Sequence, residues 1–420
     1  MRKIMAPPSK AHTLRAMILS FLGEGQTKII RPLMGDDQKV CLSAIKALGA
    51  SVSEGIDEVV IAGVSGMPQL DGQRINMANS GVTLRFLTSA IALAKKSFCV
   101  VDGNEDMRKR PVAKLVDALG NLGVRVKYLG REGFPPIEVF GGGFRGGTVE
   151  LDGNISSQYL SSLVIAGACS EHGISVRLTS ELVSSPYVEV TIDMMEEFGV
   201  NVKQRGPKEF VVEGQQCYRK DAFEIEGDYS SASYFFGASA LTRTPLYIGN
   251  LNINSKQADK KIVDILRKMG VLITEKSEGY EVENMHSRLN CVTVDMSDCP
   301  DIIPTVAVLA AFAEGTTAIS GVGHLRYKEC DRLAAIITEL KRIGIEAESD
   351  GSILQIKGGI VKGADIRTYN DHRIAMSFAM AALREPEINI ENKNVVAKSF
   401  PDFFDKMQHV FSKQAPARQA

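Results

Sequence analysis

A helix-ending glycine recurs along this chain with a period of roughly seventy residues. It closes AIKALGASV, DALGNLGVRV, MEEFGVNV, LRKMGVLI and LKRIGIEAE at Gly49, Gly123, Gly199, Gly270 and Gly344, with spacings of 74, 76, 71 and 74. Each copy reads as an amphipathic helix followed at once by a strand, because glycine takes the left-handed conformation after a helix at little cost. A second signature keeps the same period. A small or polar cluster precedes a mostly apolar helix near Ser9, Ser80, Ser156, Ser230, Asp301 and Asp371, with spacings of 71, 76, 74, 71 and 70. Two independent signatures in step predict six α/β units, each with two helices and several strands. The apolar helix, hydrophobic nearly all round, belongs inside, and the amphipathic one outside it. In the second unit, for example, Val112, Leu115, Val116, Leu119 and Leu122 share one face after Pro111 at a helix start. The sixth unit lacks the second glycine, and its last helix, near FPDFFDKMQHVF, needs no following strand.

A chain of 420 residues exceeds one ordinary core. Six units divide as three and three: residues 9–226 form one domain, and 1–8 with 227–412 the other. The chain is expected to cross back near Glu226 to Asp228 as a tight two-strand passage, since no Pro/Ser-rich linker marks the join. Residues 413–420 read as a flexible tail. A net charge of −1 gives no footprint for nucleic acid or an anionic membrane. No stretch approaches the about 18 apolar residues that a membrane span needs, and the N-terminus lacks a signal-peptide core. The 7 cysteines are scattered, without a CxxC pair, which points to reduced thiols and a cytoplasmic setting rather than a disulfide framework or a zinc site.

The starts of the apolar helices carry the functional signal. Ser, Gly, Asn, Asp or His stands at each, and capping alone would explain that. Basic residues accompany several of them: Lys10 and Arg15 at the first, Arg85 at the second, His372 and Arg373 at the sixth. Helix N-termini present free N–H groups and partial positive charge to phosphate and carboxylate. If the units aim these starts at one face, the cleft between domains becomes a strong site for two anions. Further bases lie in loops ahead of helices: Arg108, Lys109 and Arg110, then Arg326, Lys328 and Arg332 in HLRYKECDR, and Lys398 in AKSFPDFF. A solvated surface is the plain reading of such clusters. Cations just before a helix nonetheless oppose its dipole unless an anion joins them. Asp301 and Glu329 sit among these bases and are candidates for a general base and acid if the cleft positions them. Asp36 and Asp37 read as a helix cap with a possible hinge role, and Ser230 and Ser231 as caps and interdomain packing.

At these residues the chain resembles the 5-enolpyruvylshikimate-3-phosphate synthase family. PPSKAHTLR, NSGVTLRFL, MRKRP, SSQYLSSL, LVSSPYVEVT, EGDYSSASYF, PDIIPTVAVLA, RYKECDRL, YNDHRIAM and AKSFPDFF occur in family order over nearly the whole chain. The resemblance implies two domains of three βαβαββ units each, an inside-out α/β barrel. It implies transfer of the enolpyruvyl group of phosphoenolpyruvate to the 5-hydroxyl of shikimate 3-phosphate, with release of phosphate, in chorismate and aromatic amino-acid biosynthesis. It implies no metal or organic cofactor and a monomer. By position, Lys10, Ala11, Arg15, Ser156, Ser157, Gln158, Ser184, Tyr187, Asp301, His324 and Lys328 would meet shikimate 3-phosphate. Lys10, Asn79, Gly81, Arg110, Gln158, Arg332, Arg373 and Lys398 would surround phosphoenolpyruvate. Lys10, Asp301, Glu329 and His372 would act in catalysis, Asp301 taking the proton of the attacking hydroxyl and Glu329 delivering one to the methylene carbon.

The departures matter. Ala11 stands where the family has serine at the shikimate-phosphate site, so weaker binding is expected unless His12 or Thr13 compensates. Pro8 replaces a usual glycine, and His324 a common asparagine. Val82 replaces a common threonine near the phosphoenolpyruvate site, which bears on sensitivity to glyphosate, the family's inhibitor. Transfer to UDP-N-acetylglucosamine is a rival reading. Lys10 lacks the Asn neighbour typical of that sister family, however, and the loop from Asp106 to Arg110 has no cysteine. An RNA-end-processing ligase of related architecture would need a basic groove. An impaired anion-binding paralogue is motivated by Ala11, against the retained Asp301, Glu329 and Lys398. The basic cleft is also expected to repel itself when empty and to close on shikimate 3-phosphate.

Overall fold

A computed structural model describes residues 1–412. The twelve α-helices of the described residues are α1 (Lys10–Leu22), α2 (Asp36–Ala47), α3 (Gly81–Ile91), α4 (Ala113–Asn121), α5 (Ser157–Cys169), α6 (Pro186–Glu197), α7 (Tyr229–Thr242), α8 (Lys261–Lys268), α9 (Ile303–Ala311), α10 (Arg332–Arg342), α11 (His372–Arg384) and α12 (Phe403–Phe411). Odd-numbered helices are the apolar ones, and nearly every residue of each is buried. Even-numbered helices bury one face only. Gly49, Gly123, Gly199, Gly270 and Gly344 all have φ between 84° and 104°. That is the left-handed turn a side chain would resist, and it explains why glycine recurs there. Helix α4 starts at Ala113 rather than at Pro111, with its buried Leu115, Val116 and Leu119 on one face.

Strands flank the buried helices in one repeated pattern. The strand before a buried helix pairs in parallel with the strand after it, as in Arg74–Asn76 with Phe98–Asp102, where Ile75 faces Val101. An antiparallel hairpin then completes a four-stranded sheet. Side chains alternate, as in Ile353–Lys357, with one face on the helices and the other in solvent. The sheets are open and lie outside, the apolar helices inside. The sixth unit keeps only the short parallel pair Asp365–Ile366 with Asn389–Ile390.

Two of the sheets exchange strands. Arg2–Met5 pairs with Leu246–Gly249, while Ala222–Glu224 pairs with Gln26–Ile30. The first strand in the chain therefore completes the fourth unit's sheet, and the strand ahead of the fourth unit completes the first. The two passages run side by side between these sheets. Ser9 N–H donates to Glu226 O at 2.8 Å, Asp228 N–H donates to Pro7 O at 2.9 Å, and Pro8 bridges Gly227. Buried apolar side chains fall into two clusters, one from Leu14 to Ile225 and one comprising Ala6 and Tyr229 to Val410.

The crossing leaves no spare volume at Gly227, where an added Cβ would lie 1.7 Å from the backbone oxygen of Asn250. Gly227→Ala is expected to cost ~1–3 kcal/mol from overpacking. Gly120→Ala, on the open side of α4 with nothing within 4 Å, should instead gain up to about 1 kcal/mol of helix propensity. Urea titration of both variants checks the pair; equal effects would contradict this reading of the crossing.

Candidate active site

One cavity receives the first turns of five buried helices and the helical turn Pro300–Ile302 that leads into the sixth, α9. Lys10, Ala11 and Arg15 of α1, Gly81 and Arg85 of α3, and Ser157 and Gln158 of α5 enter from the first cluster. Ser230 of α7, Asp301 just ahead of α9, and His372 and Arg373 of α11 enter from the second. Ser156, Asp228 and Asp371 cap their helices with their own side chains, accepting N–H groups of Gln158, Ser231 and Arg373. In the fourth unit, then, the cap is Asp228, and Ser230 and Ser231 lie within the first turn. The two expected readings of the helix starts hold together: the caps satisfy some N–H groups while the helix ends still face one cavity.

Several of the cations around the cavity are paired with carboxylates. Arg332, 1% exposed, is the centre of this balance. Its Nε donates to Asp371 Oδ2 at 2.6 Å, Nη1 to Asp301 Oδ1 at 2.9 Å, and Nη2 to Glu329 Oε2 at 2.6 Å. Arg373 Nη2 donates to Asp301 Oδ2 at 2.7 Å. Lys398 lies 3.2 Å from Glu329, and Lys10 lies 2.6 Å from Asp37. The repulsion expected of an empty basic cleft is therefore reduced: carboxylates from several elements offset Lys10, Arg332, Arg373 and Lys398, while Arg15 and Arg85 have neutral partners only. Asp37 is also more than a cap. Gly35 caps α2, and Asp37 is buried between two active-site lysines, 3.9 Å from Lys398 as well as beside Lys10.

These pairs set the protonation states. Burial pushes Asp301 upward, but Arg373, Arg332 and Lys328 outweigh it and hold its carboxyl below the usual range. Burial raises Glu329 likewise, and Lys398, Arg332 and Arg110 bring it well below the usual value. Burial lowers Lys328 to about 8 against the pull of Asp301. Burial, then Lys328, lowers His324 to about 3, and burial with Arg373 and Lys10 lowers His372, so both imidazoles are neutral at pH 7. Both His372 ring nitrogens lack hydrogen-bond partners, as do Nε and Nη1 of Arg110, whose nearest carboxylate oxygen, on Glu329, is 3.9 Å from Nη1. Buried donors and acceptors without partners at a cavity wall are what an incoming polar ligand satisfies.

The remaining sequence candidates fall as follows. Ser156, Ser184, Tyr187, His324, Lys328, Glu329, Arg110 and Arg332 line the cavity. Asn79 and Lys398 sit behind its wall: Lys398 Nζ donates to Asn79 O at 2.7 Å, and Asn79 Oδ1 is unpartnered. Three of the five N–H groups of Arg15 are already engaged, with Thr191 Oγ1, Ala11 O and Tyr187 O. Neither neighbour substitutes for the missing Ala11 hydroxyl. His12 turns to Ser9 and Glu226, and the Thr13 hydroxyl donates to Ser9 O and accepts from Leu33 N–H. Sequence reasoning underrated Arg85, whose Nη1 donates to Gln158 Oε1 at 2.6 Å, and missed Asp371 and Asp259 as site carboxylates. The repeat at Asp371 was a usable signal; Asp259 had none. One residue of the cavity wall also carries backbone strain: Ser184 has a φ of 56°, a cost that side-chain-bearing residues carry mainly where the surrounding structure fixes them. Among the described residues, no group of three or more His, Cys, Asp or Glu is placed to hold a metal ion. No helix there is long and apolar enough to cross a membrane.

Helices that aim their N-termini at a cavity bearing matched acid and base groups define an enzyme class that handles small polyanions. Residues 2–407 match the family described as EPSP synthase (3-phosphoshikimate 1-carboxyvinyltransferase). A 3-phosphoshikimate 1-carboxyvinyltransferase of Methanocaldococcus jannaschii is 40% identical over 96% of this chain and 94% of that protein. One of Methanococcoides burtonii is 38% identical over 97% and 95%. The solved EPSP synthase of Acinetobacter baumannii superposes with a TM-score of 0.80 at 27% identity, covering 97% of this chain and 95% of that one. The chain belongs to the EPSP synthase family.

Removing the central guanidinium should expose how much the carboxylates depend on it. Arg332→Met is expected to cost about 3–5 kcal/mol at neutral pH, because the buried Glu329 and Asp371 and the half-buried Asp301 lose their partner. The loss should shrink as pH falls and those carboxylates take up protons. Denaturant titrations at pH 7.5 and pH 5 check it; a cost equal at both would point to packing alone.

Proposed function

We propose that the protein transfers the enolpyruvyl group of phosphoenolpyruvate to the 5-hydroxyl of shikimate 3-phosphate, releasing phosphate. The observation that carries this reading is the meeting of five helix N-termini and the turn leading into a sixth at one cavity in which Asp301 and Glu329 share Arg332. Two polyanions repel each other in water. Helix dipoles and forked guanidinium groups allow them to lie side by side. Ser156, Ser157, Ser184, Lys10 and Arg15 are suited to the 3-phosphate, with Gln158 between the substrates and Tyr187, His324 and Lys328 at the ring. Arg110, Arg332, Arg373, Lys398, Asn79 and Gly81 are suited to phosphoenolpyruvate.

The chemistry divides between two carboxylates. Attack by an alcohol on the enol carbon requires loss of the hydroxyl proton and gain of one at the methylene carbon. Asp301, ionised beside Arg332 and Arg373, accepts the first. Glu329 is ionised because Lys398, Arg332 and Arg110 face it. When the carboxylate and phosphate of phosphoenolpyruvate engage those cations, their hold on Glu329 weakens and its proton affinity rises. It then holds the proton that the methylene carbon receives. Lys10 and His372 border this path. Reversal of the carbon protonation and departure of phosphate complete the transfer. The work divides between residues 9–226 and residues 1–8 with 227–412, as a monomer in the cytoplasm. The transfer is a step in making chorismate and aromatic amino acids.

Ala11 favours one further reading, an impaired paralogue that binds anions without turnover. Phosphate release from phosphoenolpyruvate, with and without shikimate 3-phosphate, separates the two. Release dependent on both supports the transferase; none from folded protein sinks it. Glu329→Gln should retain binding of both substrates while turnover falls by at least about a hundredfold. A hydrogen bond to a charged group is worth roughly 1.5–3 kcal/mol. Ala11→Ser is therefore expected to tighten shikimate 3-phosphate binding about tenfold to a hundredfold. Calorimetry measures this, and an unchanged Kd would remove Ala11 from the site.

A further inference from the structure

One buried carboxyl near the cavity has no part in the scheme above. Asp259 lies in the helical turn Ala258–Lys260 that leads into α8 and is 2% exposed. Its Oδ2 accepts the Tyr187 hydroxyl at 3.0 Å and also the Ser230 hydroxyl. Its Oδ1 has no partner. The same Tyr187 hydroxyl lies 3.4 Å from Asp301 Oδ2. One phenol therefore stands between the carboxylate that faces the substrate alcohol and a second carboxyl set behind the wall.

Bracing alone is a poor reason for a carboxyl here. An amide oxygen would accept both hydroxyls without a buried charge, and a buried carboxylate with a bare oxygen is costly. The charged and titratable groups around Asp259 are Asp301, Asp228, Arg373, Tyr187 and Cys299. Burial, then Asp301, raises Asp259 to about 7, against Arg373 and the Ser230 hydrogen bond. Asp301 is held far lower by its two arginines. A proton placed on Asp301 thus has a better resting place one hydroxyl away.

We propose that Asp259 is a positioning residue that stores the proton of the attacking hydroxyl, received from Asp301 through Tyr187. As the alcohol oxygen bonds to the enol carbon, its O–H bond breaks and the proton goes to Asp301 Oδ2. The Tyr187 oxygen takes that proton while releasing its own to Asp259 Oδ2. Tyr187 ends with its O–H bond remade, Asp301 ends ionised between its arginines, and Asp259 ends as the neutral acid until products leave and solvent takes the proton. No tyrosinate accumulates, which suits a phenol that burial, then Asp259 and Asp301, make hard to ionise. This inference rests on the reaction proposed above.

The test is steady-state turnover of the full chain, Asp259→Asn, Tyr187→Phe and the double variant from pH 5.5 to 9, with thermal melts of each. Asp259→Asn keeps an acceptor for both hydroxyls. It is expected to lower kcat by at least about a hundredfold with little change in either KM. It should also abolish the limb near pH 7 below which wild-type kcat falls, because a protonated Asp259 cannot accept. The double variant should be no slower than the slower single. The melts carry an independent sign. A carboxyl raised in the folded state favours folding below its unfolded value, and that benefit is lost as pH rises through about 7. Asp259→Asn should therefore melt higher than wild type at pH 8, with the difference narrowing as pH falls toward 5. Unchanged kcat with the limb retained, a change in KM alone, or multiplying losses in the double variant would overturn the store. Wild type that releases no phosphate with both substrates would overturn the reaction and the store together, whereas an active wild type matched by Asp259→Asn overturns the store alone.

Discussion

Arg332 is the fixed point of this molecule. A guanidinium with almost no solvent contact must have every direction of its charge answered, and here Asp301, Glu329 and Asp371 do so. Each partner belongs to a different element: Asp301 precedes α9, Glu329 precedes α10, and Asp371 caps α11. One side chain thus locks three helix starts together. It also decides chemistry, because it keeps the two carboxylates of the proposed reaction ionised until an anion competes for the same cations. The balance around it is unusual only in being buried. On the surface such pairs would contribute little, but in the interior losing one partner leaves a charge that nothing screens.

The period of the fold was legible because its cause is local. A glycine with positive φ and a capped apolar helix are decided within a few residues, so both signatures could be counted along the chain. The convergence of helix starts followed from the same repeat, since equivalent units present equivalent ends. The exchange of Arg2–Met5 and Ala222–Glu224 between sheets was legible only as a crossing near Glu226. Which sheet a strand joins depends on partners about two hundred residues away or more. Asp37 looked like a cap because a carboxylate in a first helical turn usually is one; its lysine partners come from α1 and from the segment before α12. Asp259 had no motif at all. Its meaning lies in Tyr187 on α6, more than seventy residues earlier in the chain, and no periodicity links the two. The fate of the Ala11 deficit was equally hidden, because only the structure shows His12 and Thr13 turned toward Ser9.

Function draws on stability at several of these points. Ser184 holds a left-handed backbone at the cavity, Arg110 keeps unpartnered N–H groups, and Asp259 keeps an unpartnered oxygen. Each is unfavourable in isolation and is tolerated because dense apolar packing on either side over-determines the geometry. Two separate apolar clusters supply that packing.

The division of charge between the two clusters explains why neither makes a site alone. Serine hydroxyls, Lys10, Arg15, Arg85 and Arg110 come from the first, and its one carboxylate at the cavity is Asp37. Asp228, Asp301 and Glu329 line the cavity from the second, with Asp259 and Asp371 behind them and Lys328, Arg332 and Arg373 among them. The first half is therefore suited to hold a phosphate, and the second to move protons. Contacts such as Lys10 N–H to Asp228 Oδ2 at 2.9 Å and Lys398 to Asn79 O already run from one half to the other. In the proposed reaction, a phosphate held by the first group would bring negative charge toward carboxylates of the second and compete for their arginines, so that binding on one side would tune the acids and bases on the other.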